Sequence, residues 1–151
     1  MAEKLRVKQN ILIEAPVSRV WQALIDPSII KEYLFGTQTV TDWKKGSEIT
    51  WSGIYEGKPY QDKGTIVEII PEKKLHTTHY SPLSGKEDKP ENYHDVIYEL
   101  APEKGYTRIH LTQDNVNSEK ELEHLEENWN IVLEGMKKVV EGEGGGLRFK
   151  V

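Results

Sequence analysis

Apolar and polar residues alternate along the first segment of the chain, from Leu5 to Ile13. One side of this segment carries Leu5, Val7, Gln9, Ile11 and Ile13, and the other carries Arg6, Lys8 and Asn10. A period of two residues is typical of a strand with one buried face. Ala15-Pro16 then ends the alternation, and proline is favourable in the first turn of a helix.

Two short helices are predicted after this strand. The first has an apolar face at helical spacing, made by Val17, Val20, Trp21 and Leu24. Asp26-Pro27 then supplies an N-cap residue followed by a proline at the first helical position, which indicates a second helix. The apolar side of that helix is Ile29, Ile30, Tyr33 and Leu34.

From residue 40 to residue 113 the pattern changes to short alternating runs that are rich in β-branched and aromatic residues. The predicted strands are Ile49 to Tyr55, Gly64 to Ile70, Leu75 to Tyr80, Tyr93 to Leu100 and Tyr106 to Gln113, with Val40 to Trp43 as a further candidate. Most connections are of hairpin length, so neighbouring strands should be antiparallel. The segment Ser81 to Glu91 is longer, polar and proline-bearing, and it is predicted to be a mobile loop.

The last long run, Ser118 to Glu141, predicts an amphipathic helix. Ser118 is a good N-cap and Glu121 completes a capping box, while Gly142 provides the stop. The apolar face comprises Leu122, Leu125, Trp129, Val132, Leu133, Met136, Val139 and Val140. At 1.5 Å per residue the helix would span roughly 35 Å, so it needs a large apolar surface to lie on.

Together these elements predict an α+β fold. In it a curved antiparallel sheet of six or seven strands wraps the long C-terminal helix, and two short helices follow the first strand. Residues 1–141 would form a single domain. Residues 142–151 would be a glycine-rich tail for which docking onto the domain and disorder are equally open.

Composition narrows the function classes. The chain has 151 residues, a formal net charge of −5 and no cysteine. An acidic chain without a local basic patch argues against nucleic-acid binding, because phosphate contacts need a basic face. The N-terminus lacks an apolar run long enough for a signal peptide or a membrane span, so a cytoplasmic location is expected.

Several motifs resemble the START-like, or SRPBCC, helix-grip superfamily. They are Ile13-Glu14-Ala15-Pro16 with Val20 to Leu24 and Asp26-Pro27, and Gly64 with Ile66 to Ile69, Pro71 and Leu75. Val96 to Leu100, the turn from Pro102 to Gly105, Thr107 to Thr112, and Asn128-Trp129 with Leu133 look most like one branch. That branch is the activator of heat-shock-protein-90 ATPase homologue family. The resemblance implies that the predicted α+β fold is of the helix-grip (START/Bet v-like) kind.

The resemblance implies three functions. The first is a non-catalytic protein that holds a small hydrophobic ligand in a cavity between the long helix and the sheet. The second is a chaperone-associated interaction domain, connected with the stress response. The third is an enzyme of the cyclase or dehydratase type, with His79 and Tyr98 as acid/base candidates. A monomer or weak dimer is expected.

Strand parity predicts which side chains would line such a cavity. Those facing the helix are an aromatic-rich set with a few polar tips, which is the usual lining of a small-molecule site. The candidates are Trp51, Tyr55, His79, Tyr98, Ile109, Leu111, Trp129, Leu133 and Met136. The alternative is that these side chains simply pack as a filled core.

No cofactor and no metal site are predicted. His76 and His79 are three residues apart on a predicted strand and therefore point to opposite faces. His94 and His110 could be cross-strand neighbours, but the known metal-ligand spacings are absent. His79 is expected to be a hydrogen-bonded core histidine, and no catalytic residue is assigned.

Overall fold

A computed structural model of the chain describes residues 5–142. The elements are β1 (Leu5–Ile13), α1 (Val17–Ile25), α2 (Pro27–Tyr33), β2 (Gln38–Val40), β3 (Glu48–Tyr55), β4 (Lys58–Ile70), β5 (Lys74–His79), β6 (His94–Glu103), β7 (Tyr106–Val116) and α3 (Glu119–Glu141). None of the helices in this range is both long and apolar enough to cross a membrane.

The seven strands form one antiparallel sheet in the order β1-β7-β6-β5-β4-β3-β2. Only β1 is out of chain order, because the two short helices carry the chain from one edge of the sheet to the other. The long helix α3 lies across one face, which we call the inner face. The predicted α+β helix-grip fold is confirmed.

Strand bounds differ from the sequence pattern in the middle of the sheet. The predicted strand from Gly64 begins six residues earlier, at Lys58. Its first part, from Lys58 to Thr65, pairs with β3, and its last part, from Ile66 to Ile70, pairs with β5. The connection is a tight turn in which Glu56 and Gly57 both have positive φ. Because proline is a poor strand residue, the pattern counts Pro59 with the turn and starts the following strand too late. The strand predicted at Val40 to Trp43 lies instead at Gln38–Val40.

The segment after β5 is held by hydrogen bonds. It forms two short 3-10 turns, Pro82–Ser84 and Pro90–Asn92. The Tyr80 hydroxyl donates to the Lys86 carbonyl oxygen at 2.6 Å, and the Asn115 side chain donates to the Glu91 carbonyl oxygen at 2.9 Å. The loop therefore has defined anchors at the end of the sheet where α3 begins.

Helix α3 begins and ends as its sequence predicts. The Ser118 hydroxyl oxygen accepts from the Glu121 amide at 3.1 Å, and Gly142 adopts the left-handed conformation that closes the helix. Its fully buried side chains all lie in its C-terminal half: Val132, Leu133, Met136 and Val140. The two interpretations of the tail concern residues 143–151, which lie outside the described residues.

One close approach between strands gives a test of the register. A Cβ atom added at Gly64 would lie 1.8 Å from the Thr78 carbonyl oxygen, whereas one added at Gly135 would lie 3.4 Å from the Tyr33 Cβ. We expect Gly64→Ala to lower the free energy of unfolding by about 3 kcal/mol or more. The control, Gly135→Ala, should change it by less than about 1 kcal/mol, because alanine is a better helix residue than glycine. Urea denaturation followed by circular dichroism measures both, and equal stabilities would contradict the approach of β4 to β5.

Candidate functional site

A row of polar and aromatic side chains crosses the inner face of strands β2 to β6. Directly opposed residues in neighbouring strands point to the same face, and Trp51 is opposed by Thr39 on one side and Asp62 on the other. His79 is likewise opposed by His94. We call these five residues, Thr39, Trp51, Asp62, His79 and His94, the polar row.

His79 is the centre of the polar row. Its Nε2 lies 2.9 Å from the Asp62 Oδ2, and its ring meets the Trp51 ring edge-on with 5.1 Å between centroids. The His79 side chain is 29% exposed, and the Asp62 side chain is 16% exposed. The predicted hydrogen-bonded histidine is therefore present, but it lies at the side of the core.

His94 extends the row toward β7. Its ring centroid is 6.4 Å from that of His79, and its Nδ1 is 2.8 Å from the Asp114 backbone oxygen. The predicted pairing of His94 with His110 is wrong, because Glu99 lies opposite His110. The sequence pattern predicts a strand from Tyr93, but it does not predict the β5–β6 register. That register brings His79 and His94 together on the inner face.

Tyr98 and Trp129 continue the site beneath the helix. Their rings meet edge-on with 5.9 Å between centroids, and the Trp129 Nε1 donates to the Gln113 Oε1 at 2.6 Å. Gln113 is buried and opposes Val96 on the inner face. The indole is thus fixed between the sheet and the helix by one hydrogen bond and one aromatic contact.

The other predicted lining residues lie in two places. Ile109, Leu111, Leu133 and Met136 are at most 2% exposed and belong to the closed core. Tyr55 lies at the tip of the β3–β4 hairpin, where it is 56% exposed and remote from the helix. The nine candidates therefore divide into a site group (Trp51, His79, Tyr98, Trp129), a core group and one surface residue.

Three buried side-chain polar atoms have no hydrogen-bond partner among residues 5–142: Gln9 Oε1, Thr39 Oγ1 and Asp62 Oδ1. Gln9 opposes Leu111 in the β1–β7 pair, so all three lie on the inner face. Buried polar groups are nearly always hydrogen-bonded, so unpartnered ones mark places where a further group is needed. They share one face of the sheet, although Gln9 and Thr39 lie on its two opposite edge strands, β1 and β2.

Burial alters the acidity of two phenols below the helix. The protein around Tyr98 desolvates it and raises the pKa of its phenol, although the side chain keeps some accessible surface. Burial raises the pKa of Tyr33 well above its ordinary value, and its hydroxyl donates to the Ala23 carbonyl oxygen at 2.8 Å. Tyr98 is therefore largely enclosed by the protein but is not closed off completely.

Sequence reasoning missed Thr39, Asp62 and Gln113 as site residues. Asp62 lies in β4, but the pattern predicted that this strand begins only at Gly64, two residues later. A usable signal existed in Gln9 and Gln113, which are polar residues at inward-facing positions of alternating strands. A polar residue on the apolar side of a strand indicates a hydrogen-bonding site in the interior.

The inner face is distinct from the hollows on the surface. One of them, of about 570 Å³, is an open groove between α1, α2 and α3, lined by Arg19, Gln22, Ala23, Ile29, Glu32, Lys138, Val139 and Val140. Within residues 5–142, histidine and carboxylate side chains do not converge in threes as a metal site would require.

The family model described as Activator of Hsp90 ATPase homolog 1-like protein matches residues 14–141. A protein of known structure from Cytophaga hutchinsonii is 50% identical, with a TM-score of 0.83, covering 93% of this chain and 97% of that one. The solution structure of an Aha1 dimer from Colwellia psychrerythraea is similar at 19% identity, with a TM-score of 0.74 and coverage of 93% and 99%. No curated protein matches this chain.

These similarities define a helix-grip protein of the START-like kind. The chain belongs to the Activator of Hsp90 ATPase homolog 1-like family, as its motifs had indicated. At 19% identity the Colwellia protein supports the fold alone.

The raised pKa of Tyr98 has a consequence for stability. A phenol that resists ionisation in the folded protein contributes stability below its ordinary pKa of 10.0, and this contribution is lost as pH rises above that value. Relative to wild type, Tyr98→Phe should therefore lose less stability between pH 9 and pH 11, by about 1 kcal/mol. Urea denaturation at the two pH values measures this difference. Parallel losses in the two proteins would contradict burial of the phenol.

Proposed function

We propose that this protein binds a small, largely apolar molecule between the N-terminal half of α3 and the inner face of the sheet. The ligand lies against Tyr98 and Trp129 and extends toward the polar row. Binding is its role, and no reaction is assigned.

The contrast in burial along α3 carries the proposal. Its C-terminal half is closed against the core at Leu133 and Met136, whereas Leu122, Leu125 and Trp129 remain only half-buried on the same apolar stripe. A helix that packed evenly would bury both halves, because protein interiors are close-packed. The half-buried stripe is therefore the roof of the proposed site.

The chemistry of the opposite wall supports the same conclusion. Small-molecule sites combine apolar and aromatic walls with a few placed polar groups. The inner face opposite the half-buried stripe carries the Tyr98 ring, the polar row and three unpartnered polar atoms. A filled apolar core would have no use for these groups.

Two substitutions of equal bulk on α3 test the site. Leu125→Trp fills the proposed space, while Ile131→Trp adds the same ring at a position that is 56% exposed. With 2-naphthol as the probe, we expect Leu125→Trp to weaken binding by at least about tenfold, because it excludes apolar contact area. Ile131→Trp should leave affinity within about twofold. Amide ¹H–¹⁵N shift titrations give the dissociation constants.

Titration of the wild-type protein with 2-naphthol tests whether the site binds a ligand. Saturable shifts at amides of β4 to β7 and the first half of α3 are the expected result. Equal weakening by both substitutions, or shifts limited to exposed surface residues, would overturn the proposed function. Thermal denaturation of each variant verifies that it is folded before its affinity is compared.

Contact with a chaperone is a second candidate, which the family description favours. A pair of exposed apolar side chains gives it a surface: Phe35 is 69% and Ile54 is 74% exposed. Continuing the β2–β3 register places Ile54 opposite Gly36, next to Phe35. Contiguous exposed apolar side chains mark interaction sites, and the proposed partner is a chaperone of the Hsp90 class.

Paired serine substitutions test this surface. Phe35→Ser with Ile54→Ser should abolish any stimulation of ATP hydrolysis by a purified Hsp90-class chaperone, whereas Leu83→Ser, at a loop position that is 57% exposed, should not. Stimulation that survives the double substitution, or that is absent from the wild type, would contradict the second candidate. The cyclase or dehydratase hypothesis for His79 and Tyr98 stays a prediction without an assigned reaction.

A further inference from the structure

The hydrogen bonds of His94 determine which of its ring nitrogens can meet a ligand. The Nδ1 atom lies 2.8 Å from a backbone carbonyl oxygen, that of Asp114. A carbonyl oxygen only accepts, so Nδ1 carries the hydrogen. In the neutral imidazole the other nitrogen, Nε2, therefore holds a lone pair and is an acceptor.

The contact with Asp62 likewise determines which ring nitrogen of His79 can accept a hydrogen bond. Its Nε2 lies 2.9 Å from the Asp62 carboxylate, which as an ionised group only accepts. Nε2 therefore carries the hydrogen, and Nδ1 of the neutral ring is the acceptor. This Nδ1 has no hydrogen bond to any described residue and is not among the polar atoms closed off by burial.

Both acceptor nitrogens lie on the inner face beside an aromatic wall. The two imidazole centroids are 6.4 Å apart and their planes differ by 33°, while the Trp51 ring lies edge-on to His79 at 5.1 Å. Both backbone and side-chain partners hold these rings in place, so the acceptors are pre-arranged. A flat ligand could contact Trp51 and direct a polar hydrogen at the histidines.

We propose that His79 and His94 form a hydrogen-bond-accepting subsite for an aromatic hydroxyl group, so that the ligand is of the phenol class. This proposal rests on the proposed binding function and names the ligand chemistry for it. The hydroxyl donates to His79 Nδ1 or His94 Nε2, and its ring occupies the space toward Tyr98. Asp62 is a positioning residue, which keeps the His79 hydrogen on Nε2.

A pair of probes that differ in one substituent tests the subsite. The hydroxyl of 2-naphthol donates a hydrogen bond, whereas the fluorine of 2-fluoronaphthalene occupies a similar volume and cannot. We expect wild-type protein to bind 2-naphthol at least about tenfold more tightly, because a hydrogen bond to a held acceptor distinguishes them. In His79→Phe the ratio of the two dissociation constants should fall below about threefold.

The opposite face of the sheet provides a matched control. There, His76 Nε2 lies 2.8 Å from the Asp95 carboxylate, so the same pair of residue types is present outside the proposed site. His76→Phe should keep the preference for 2-naphthol. Because His79→Phe leaves Asp62 without its partner, the double variant Asp62→Asn with His79→Phe is measured as well and should show the same loss of preference.

Ring ¹⁵N shifts in the wild-type protein give a readout that a merely structural role would not move. His79 should carry its hydrogen on Nε2 and His94 on Nδ1, and 2-naphthol should shift His79 Nδ1 or His94 Nε2. Asp62→Asn, which can donate as well as accept, should increase the fraction of His79 with hydrogen on Nδ1 and reduce the preference for 2-naphthol.

The outcomes separate the two proposals. Tight binding of 2-naphthol with the preference lost in His79→Phe supports the subsite. Equal affinity of the two probes for wild type, or a preference that survives in both His79 variants, overturns the subsite while the binding function stands. Binding of neither probe overturns both.

Discussion

The fold and the proposed ligand site both depend on how α3 packs against the sheet. At its C-terminal half it is closed by apolar packing around Met136, and Lys137 Nζ donates to the Leu12 carbonyl oxygen at 3.0 Å. At its N-terminal half, Leu122, Leu125 and Trp129 pack against the margin of the core, and hydrogen bonds to the sheet are added to these contacts. Gln9 Nε2 donates to the Glu126 carbonyl oxygen at 3.0 Å, and Trp129 Nε1 donates to Gln113. In the proposed function, these hydrogen bonds hold that half of the helix over the ligand.

In the proposed function, this difference between the halves of one helix separates the core that stabilises the domain from the ligand site. The packed half, together with the β1–β7 pair, supplies the core that orders the domain. The inner face beside the other half carries polar groups, and burying such groups is costly unless they are hydrogen-bonded. In the Asp62–His79 contact one carboxylate oxygen of Asp62 is paired with the ring, while the other is buried without a partner.

The local sequence pattern predicts the helices and most of the strands, but it does not predict how the strands pair with one another. The caps at Ser118 and Gly142, the alternation of β1 and the helical stripe of α3 are local properties, and each is present. The site depends on register between strands: Asp62 meets His79 only because β4 starts at Lys58. Parity assigned Trp51 and Tyr55 to the same face, but it carried no information about how far the hairpin extends beyond the helix.

Intermolecular nuclear Overhauser effects between bound 2-naphthol and the methyl groups of the protein test the central claim most directly. The account predicts cross-peaks to the methyls of Leu122 and Leu125 and to the rings of Trp51 and Trp129. It predicts none to Met136, whose side chain is enclosed by the core. Cross-peaks confined to exposed methyls such as those of Ile54, or their absence from Leu122 and Leu125 at saturating probe, would contradict a ligand site under the first half of α3.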